Sequence, residues 1–223
     1  WSLADPAAFW DALFDFAGVI ADRGGAVLED GHRMPGARWF PGTRLNFAEN
    51  LLRGPDAEPA LVFCNERGTR RELSWRALRA DVARIAAGLR DAGVGPGDCV
   101  AGFLPNLPET VVAMLATASL GATWTSCSPD FGIQGVLDRF GQVAPKVLFT
   151  AASYAYGGKR FDGLGRVAGI LGQIPAIERV VVVPYLDAPT PAAVAAVPRA
   201  VALAEFVAPY APAPLEFEPV PFD

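Results

Sequence analysis

The sequence predicts an α/β fold, a largely parallel sheet flanked by helices with an N-terminal helical and loop extension, and three observations carry that prediction. From Gly93 to Phe149 the chain alternates turn, apolar run and helix-spaced segment two full times. The apolar runs are short and bounded by Gly and Pro, the pattern of strands buried in a parallel sheet. With 52% hydrophobic residues and a mean hydropathy of +0.26, the 223 residues suffice to bury one large core or two modest ones.

The elements follow in order. Residues 5–20 place Phe9, Trp10, Leu13, Phe14 and Phe16 at helical spacing, with Asp5 as N-cap and Pro6 at the first helical position. That aromatic stripe reads as core or interface rather than as a cofactor box. Residues 35–53 form a turn-rich entry and a short helix from about Asn46, and Gly54-Pro55-Asp56 is a linker. Ala60 to Cys64 reads as a strand, Arg67-Gly68 as a turn, and Arg71 to Leu73 as another strand. Ser74 caps a helix with Trp75, Leu78, Val82, Ile85 and Leu89 on its apolar face. Its four arginines, Arg76, Arg79, Arg84 and Arg90, read as a solvated face because Asp81 and Asp91 are interspersed.

In the central stretch, a turn at Gly93 to Gly97 releases into a strand from Cys99 to Leu104, which Pro105 ends. Pro108 opens a helix that Gly121 stops, and its apolar residues lie nearly all round, so it is expected to be buried. Ala122 to Ser126 is the next strand, Ile133 to Gln142 a helix with Asp138 and Arg139 outward, and Lys146 to Thr150 a third strand. Strands separated by helices imply right-handed crossovers. Residues 151–166 read as a Tyr/Gly-rich loop leading to a helix from Leu164 to Leu171. Arg179 to Val183 is an apolar strand closed by Pro184, and Pro191 to Val197 a weak Ala-rich helix. Beyond Ala208 a Pro-rich extended tail forms no core by itself.

Composition excludes several functions. The net charge of −5, from 24 acidic and 19 basic residues without a basic stripe, speaks against a nucleic-acid partner. The three cysteines, Cys64, Cys99 and Cys127, lie far apart in strand-like settings and read as reduced core thiols of a cytoplasmic protein. His32 is the only histidine, which leaves a Cys nucleophile without an evident base and a zinc site without paired ligands. No metal site is expected. No apolar run reaches membrane-spanning length, and the opening residues lack both a basic leader and an initiator Met, so the chain is expected to be trimmed.

Three segments carry a family resemblance. GVGPGDCVAGFLPNLPE and SCSPDFGIQGVLDRFGQVAPKVLF resemble the N-terminal region of the adenylate-forming acyl-CoA synthetases, and the latter segment is most similar to members that take acetoacetate. WFPGTRLNFAENLL is similar to the extension shared by the short-chain branch, which activates acetate, propionate or acetoacetate. The resemblance implies residues 1–55 as that extension and 56–223 as the first part of an AMP-binding domain.

It also implies that the parent protein joins acetoacetate to CoA with ATP and Mg²⁺, through an acyl-adenylate. The phosphate-holding Ser/Thr/Gly-rich loop of such enzymes has no counterpart in this sequence. The chain therefore reads as about the first third of a ligase, completed by the remainder of its own chain. No catalytic residue is expected in it, nor any cofactor bound tightly to it alone.

Two ligand-facing candidates remain. Tyr156-Gly157-Gly158-Lys159 matches, position by position, the place where acetyl-CoA synthetases carry an Arg-x-Gly-Arg/Lys run on the CoA phosphates, with Tyr156 replacing the first basic residue. Glycines let backbone approach a phosphate, and a lysine supplies charge. A surface turn with a solvated lysine is the alternative. The run is not a Walker loop, since Ser153 and Arg160 stand where Gly and Ser/Thr are required. Ser128-Pro129-Asp130 follows a predicted strand at the end where open α/β sheets bind ligands, and the resemblance places it near CoA. The alternative there is a turn with an Asx-type hydrogen bond. A different class of function, a non-catalytic α/β scaffold or regulatory module, also suits a Pro-rich tail and an open sheet edge.

Overall fold

The computed structural model describes residues 1–222. It begins with α1 (Pro6–Phe16), then β1 (Leu28–Glu29), β2 (Arg38–Trp39), β3 (Arg44–Leu45) and α2 (Phe47–Leu51). A hairpin of β4 (Pro59–Cys64) and β5 (Arg70–Ser74) leads to α3 (Trp75–Asp91), β6 (Cys99–Phe103), α4 (Pro108–Ser119), β7 (Thr123–Cys127), α5 (Ile133–Val143) and β8 (Val147–Ala151). Another hairpin, β9 (Ser153–Tyr156) and β10 (Lys159–Asp162), precedes α6 (Leu164–Leu171), β11 (Arg179–Val183), α7 (Pro191–Ala195), β12 (Ala200–Ala202), α8 (Leu203–Val207) and β13 (Val220–Pro221).

The centre is a five-stranded sheet in the order β12-β11-β8-β6-β7, parallel at every pairing. Side chains alternate between its two faces, so each strand feeds two cores. Val100, Val147, Phe149, Val181 and Val183 meet Leu78, Val82, Ile85 and Leu89 of α3 and Val112, Leu115 and Ala116 of α4. The intervening Ala101, Phe103, Leu148, Val180 and Val182 meet Val136 and Phe140 of α5 and Val167 and Ile170 of α6. Burial on both faces explains why β6, β8 and β11 read as unbroken apolar runs. At about 1.5–3 kcal/mol per fully buried Val, Leu or Phe, these layers dominate the stability of the fold.

The central elements lie where the sequence places them, with β7 and β8 each shifted by one residue. Several expectations need correction. The Tyr/Gly-rich segment is a β-hairpin rather than a loop, because the register Tyr156↔Lys159 through Ser153↔Asp162 pairs the residues on either side of Gly157-Gly158. Cys99 and Cys127 are buried free thiols, but Cys64 is exposed at the end of β4. Arg79 is not part of a solvated face: it donates to the Leu52 and Gly54 carbonyls at 2.8 and 2.9 Å and pairs with Asp56, clasping the linker before β4. The aromatic stripe of α1 buries no residue fully; instead Trp1, Phe9, Trp10 and Trp39 form an edge-to-face ladder along it.

The Pro-rich tail is extended, as expected, yet it adds to the core. Leu215 and Phe217 pack on the α3/α4 layer, and β13 pairs antiparallel with β3. Asn46, 1% exposed, secures this junction. Its amide donates to the carbonyls of Ala118 at 2.8 Å, Ser119 at 3.2 Å and Glu218 at 2.8 Å, while its oxygen caps α2 through the N–H groups of Ala48 and Glu49. Among the described residues no helix is long and apolar enough to cross a membrane.

Candidate functional site

Both candidate segments leave the carboxyl ends of sheet strands, where the loops of an open α/β sheet converge. Ser128-Pro129-Asp130 follows β7 directly. Ser128 Oγ donates to Asp130 Oδ2 at 3.1 Å, and the Asp130 N–H points back at Ser128 Oγ at 3.4 Å. Ser128 and Asp130 are exposed, and Pro129 is buried. The turn's own hydrogen bonds account for Ser128 and Asp130 without a ligand.

The β9–β10 hairpin follows β8. Its two-residue turn has φ +57° at Gly157 and +73° at Gly158, the positive values that a tight hairpin of the right twist requires at both positions. An added Cβ at either glycine would meet nothing within 4 Å, so backbone conformation and not crowding demands glycine here. Tyr156, 64% exposed, and Lys159 flank the turn as a register pair. Lys159 is exposed and makes no ion pair with any described residue, whereas Arg160 pairs with Asp187.

The structure brings the two segments together through residues that sequence reading did not single out. Tyr154, 3% exposed, donates its hydroxyl to the Pro129 carbonyl at 3.1 Å. Arg166, on α6, donates to the same carbonyl at 2.7 Å and to Tyr154 Oη at 3.3 Å. Tyr154 also stacks on Phe161 across the hairpin, with ring centroids 5.0 Å apart. The only sequence signal for this knot is the Tyr154/Phe161 pair on either side of a Gly-Gly turn.

Glu66, in the turn between β4 and β5, is also invisible to sequence reading. Its Oε2 accepts from the Gly157 N–H at 3.1 Å and its Oε1 from the Gly158 N–H at 3.2 Å. Asn65 braces that turn, its Oδ1 accepting from the N–H groups of Arg67 and Thr69 at 3.0 Å each, with its amide donating to Tyr185 Oη at 3.4 Å. The Gly157-Gly158 backbone therefore receives an anionic group at two adjacent donors, the chemistry a phosphate needs. Lys159 is the exposed cation beside this seat.

No cluster of three metal-ligating side chains occurs among the described residues. Burial pushes the Cys99 and Cys127 thiols above their ordinary value, the opposite of what a nucleophile needs.

The family model described as AMP-binding enzyme matches residues 47–216, and that described as acetyl-coenzyme A synthetase N-terminus matches residues 1–51. The whole chain is 48% identical to acetoacetyl-coenzyme A synthetase of Rhizobium meliloti (strain 1021) and 38% identical to acetoacetyl-CoA synthetase of Rattus norvegicus, spanning 34% of the length of each. Among solved structures, acetoacetyl-CoA synthetase from Streptomyces lividans matches all of the chain and 34% of its own, with 43% identity and a TM-score of 0.91. A family match over three quarters of the chain, joined to a fold shared with that enzyme throughout, means that the chain belongs to the AMP-binding enzyme family.

Proposed function

We propose that this chain is the first part of a cytoplasmic acid–thiol ligase that forms acetoacetyl-CoA from acetoacetate, ATP and CoA through an acyl-adenylate. In this reading residues 1–55 are its N-terminal extension and 56–223 the opening of its AMP-binding domain. The observation that carries it is similarity without a gap in coverage, 43% and 48% identity to two acetoacetyl-CoA synthetases over the whole chain. In this reading Mg²⁺ and the triphosphate belong to the remainder of the protein, which is supported by the lack of any cluster of three metal-ligating side chains among the described residues.

Within this division of labour, the present residues serve the thiol donor. The Gly157 and Gly158 N–H groups and Lys159 take a CoA phosphate, a contact between charge and dipole that specifies no acyl group. Ser128-Pro129-Asp130 sets the adjoining wall, held through Tyr154 and Arg166.

The test is thioester formation by the full-length enzyme with acetoacetate, acetate and propionate. Acetoacetate is expected to give the highest kcat/KM, and a preference for either other acid overturns the substrate. Residues 1–223 alone are expected to show no acetoacetate-dependent ATP–pyrophosphate exchange. Exchange above a no-enzyme control would mean that the triphosphate is held here after all.

A further inference from the structure

Two consecutive backbone N–H groups that converge on one carboxylate form an anion seat, and here the anion belongs to the chain itself. We propose that Glu66 is a built-in competitor for this seat, and that a phosphate of CoA displaces it when it binds beside Lys159. The inference rests on the assignment of the Gly157-Gly158 turn to CoA and adds what occupies the turn beforehand.

Four features support displacement over a permanent structural bond. The seat does not need Glu66 in order to form: the four-pair hairpin register, the Tyr154–Phe161 stack and the positive-φ glycines define it. The Glu66 turn is braced independently by Asn65, so its carboxylate is delivered from one fixed loop to another, across 91 residues of sequence. Glu66 is also exposed and makes no ion pair with any described residue, so a released carboxylate returns to water at little cost. Finally, Gly157, Gly158 and Glu66 are all exposed, so an incoming group reaches the two N–H groups from solvent once the carboxylate swings away.

The consequence is quantitative. A tethered carboxylate acts as an intramolecular competitor whose effective concentration is of millimolar order. The apparent affinity for the phosphate is then reduced by the fraction of time the seat is free. Removing the competitor strengthens CoA binding, the reverse of what loss of a binding residue does. A seat free roughly a tenth to a third of the time corresponds to a change of about 3- to 10-fold.

The experiment uses the full-length enzyme, with CoA as the probe and ATP–pyrophosphate exchange as the reference reaction. Glu66→Ala is expected to lower KM for CoA by about 3- to 10-fold while KM for ATP in exchange stays fixed. Glu66→Gln, whose amide oxygen still accepts one of the two N–H bonds, is expected to fall between Glu66→Ala and wild type. An unchanged or raised KM for CoA in Glu66→Ala overturns the proposal. So do equal effects of both variants that vanish at high salt, which would mark long-range charge rather than occupancy. Lys159→Ala separates the levels: if it leaves KM for CoA unmoved, the turn is not the CoA seat. If it raises KM while Glu66→Ala does nothing, only the competitor is lost.

Discussion

The Tyr154 hydroxyl donates to the Pro129 carbonyl at 3.1 Å, and that bond joins the β9–β10 hairpin to the turn after β7. Because Arg166 donates to the same carbonyl and to the same hydroxyl, the three residues form one polar unit in a part-buried setting. Removing the hydroxyl in Tyr154→Phe is expected to cost about 0.5–1.5 kcal/mol. For a domain of this size that lowers Tm by roughly 1–6 °C. Arg166→Ala is expected to cost less in the Tyr154→Phe background than in wild type, a coupling of about 0.5 kcal/mol or more. Strictly additive losses in thermal unfolding would show that the two residues act separately.

Lys159→Ala tests the cation beside the seat. A charge-assisted contact is worth about 1.5–3 kcal/mol, so KM for CoA in the full-length enzyme is expected to rise by about 10- to 100-fold. Adenylation, read as pyrophosphate exchange, is expected to stay near wild type. Lys159→Arg is expected to restore part of the affinity, and added salt to weaken the wild type more than Lys159→Ala. Equal salt sensitivity in the two proteins would sink the phosphate contact.

Asn46 supports the junction of extension, α4 and tail, and Asn46→Ala takes the Asn46 donor from the Glu218, Ala118 and Ser119 carbonyls, of which Ala118 keeps the Gly121 N–H and Ser119 the Glu218 N–H, and leaves α2 without its cap. The expected loss is about 2–4 kcal/mol, with faster proteolytic cleavage of residues 208–219 as the tail lifts. Asn46→Asp is the sharper variant. Aspartate caps a helix as well as asparagine, so near-normal stability would mean that the cap and not the carbonyl contacts carries the residue.

Burial pushes the Asp81 carboxyl above its ordinary value of 3.8, with Arg84 opposing and Glu109 adding to the shift. A raised acid binds its proton more tightly in the folded state. Its contribution therefore favours folding below the unfolded value and is lost as pH rises through the folded one. Asp81→Asn is expected to raise Tm at neutral pH, with the advantage disappearing below about pH 3.8. A lower Tm for Asp81→Asn at neutral pH would show that the Arg84 ion pair outweighs the desolvation.

The sequence by itself determined the elements whose signals are local. Apolar runs closed by Gly and Pro became β6, β8 and β11, and the spacing of Leu78, Val82, Ile85 and Leu89 became the buried face of α3. The caps at Asp5 and Ser74 were legible because a cap and its N–H partner lie within three residues. The order of strands, the sheet edges and the partners of exposed polar residues were decided only by tertiary structure. Nothing local in Asn65-Glu66-Arg67-Gly68 distinguishes a solvated turn from one whose carboxylate sits on backbone N–H groups 91 residues away. Arg79 read as solvated for the same reason, since its carbonyl partners lie 25 and 27 residues back in a linker without a pattern. The hairpin was missed because β9 and β10 draw their pairing from each other across two glycines, and neither strand carries enough apolar alternation alone. Periodicity records what each residue does with its near neighbours. The site is made of hydrogen bonds between loops that the central sheet brings together, and only the folded chain supplies that proximity.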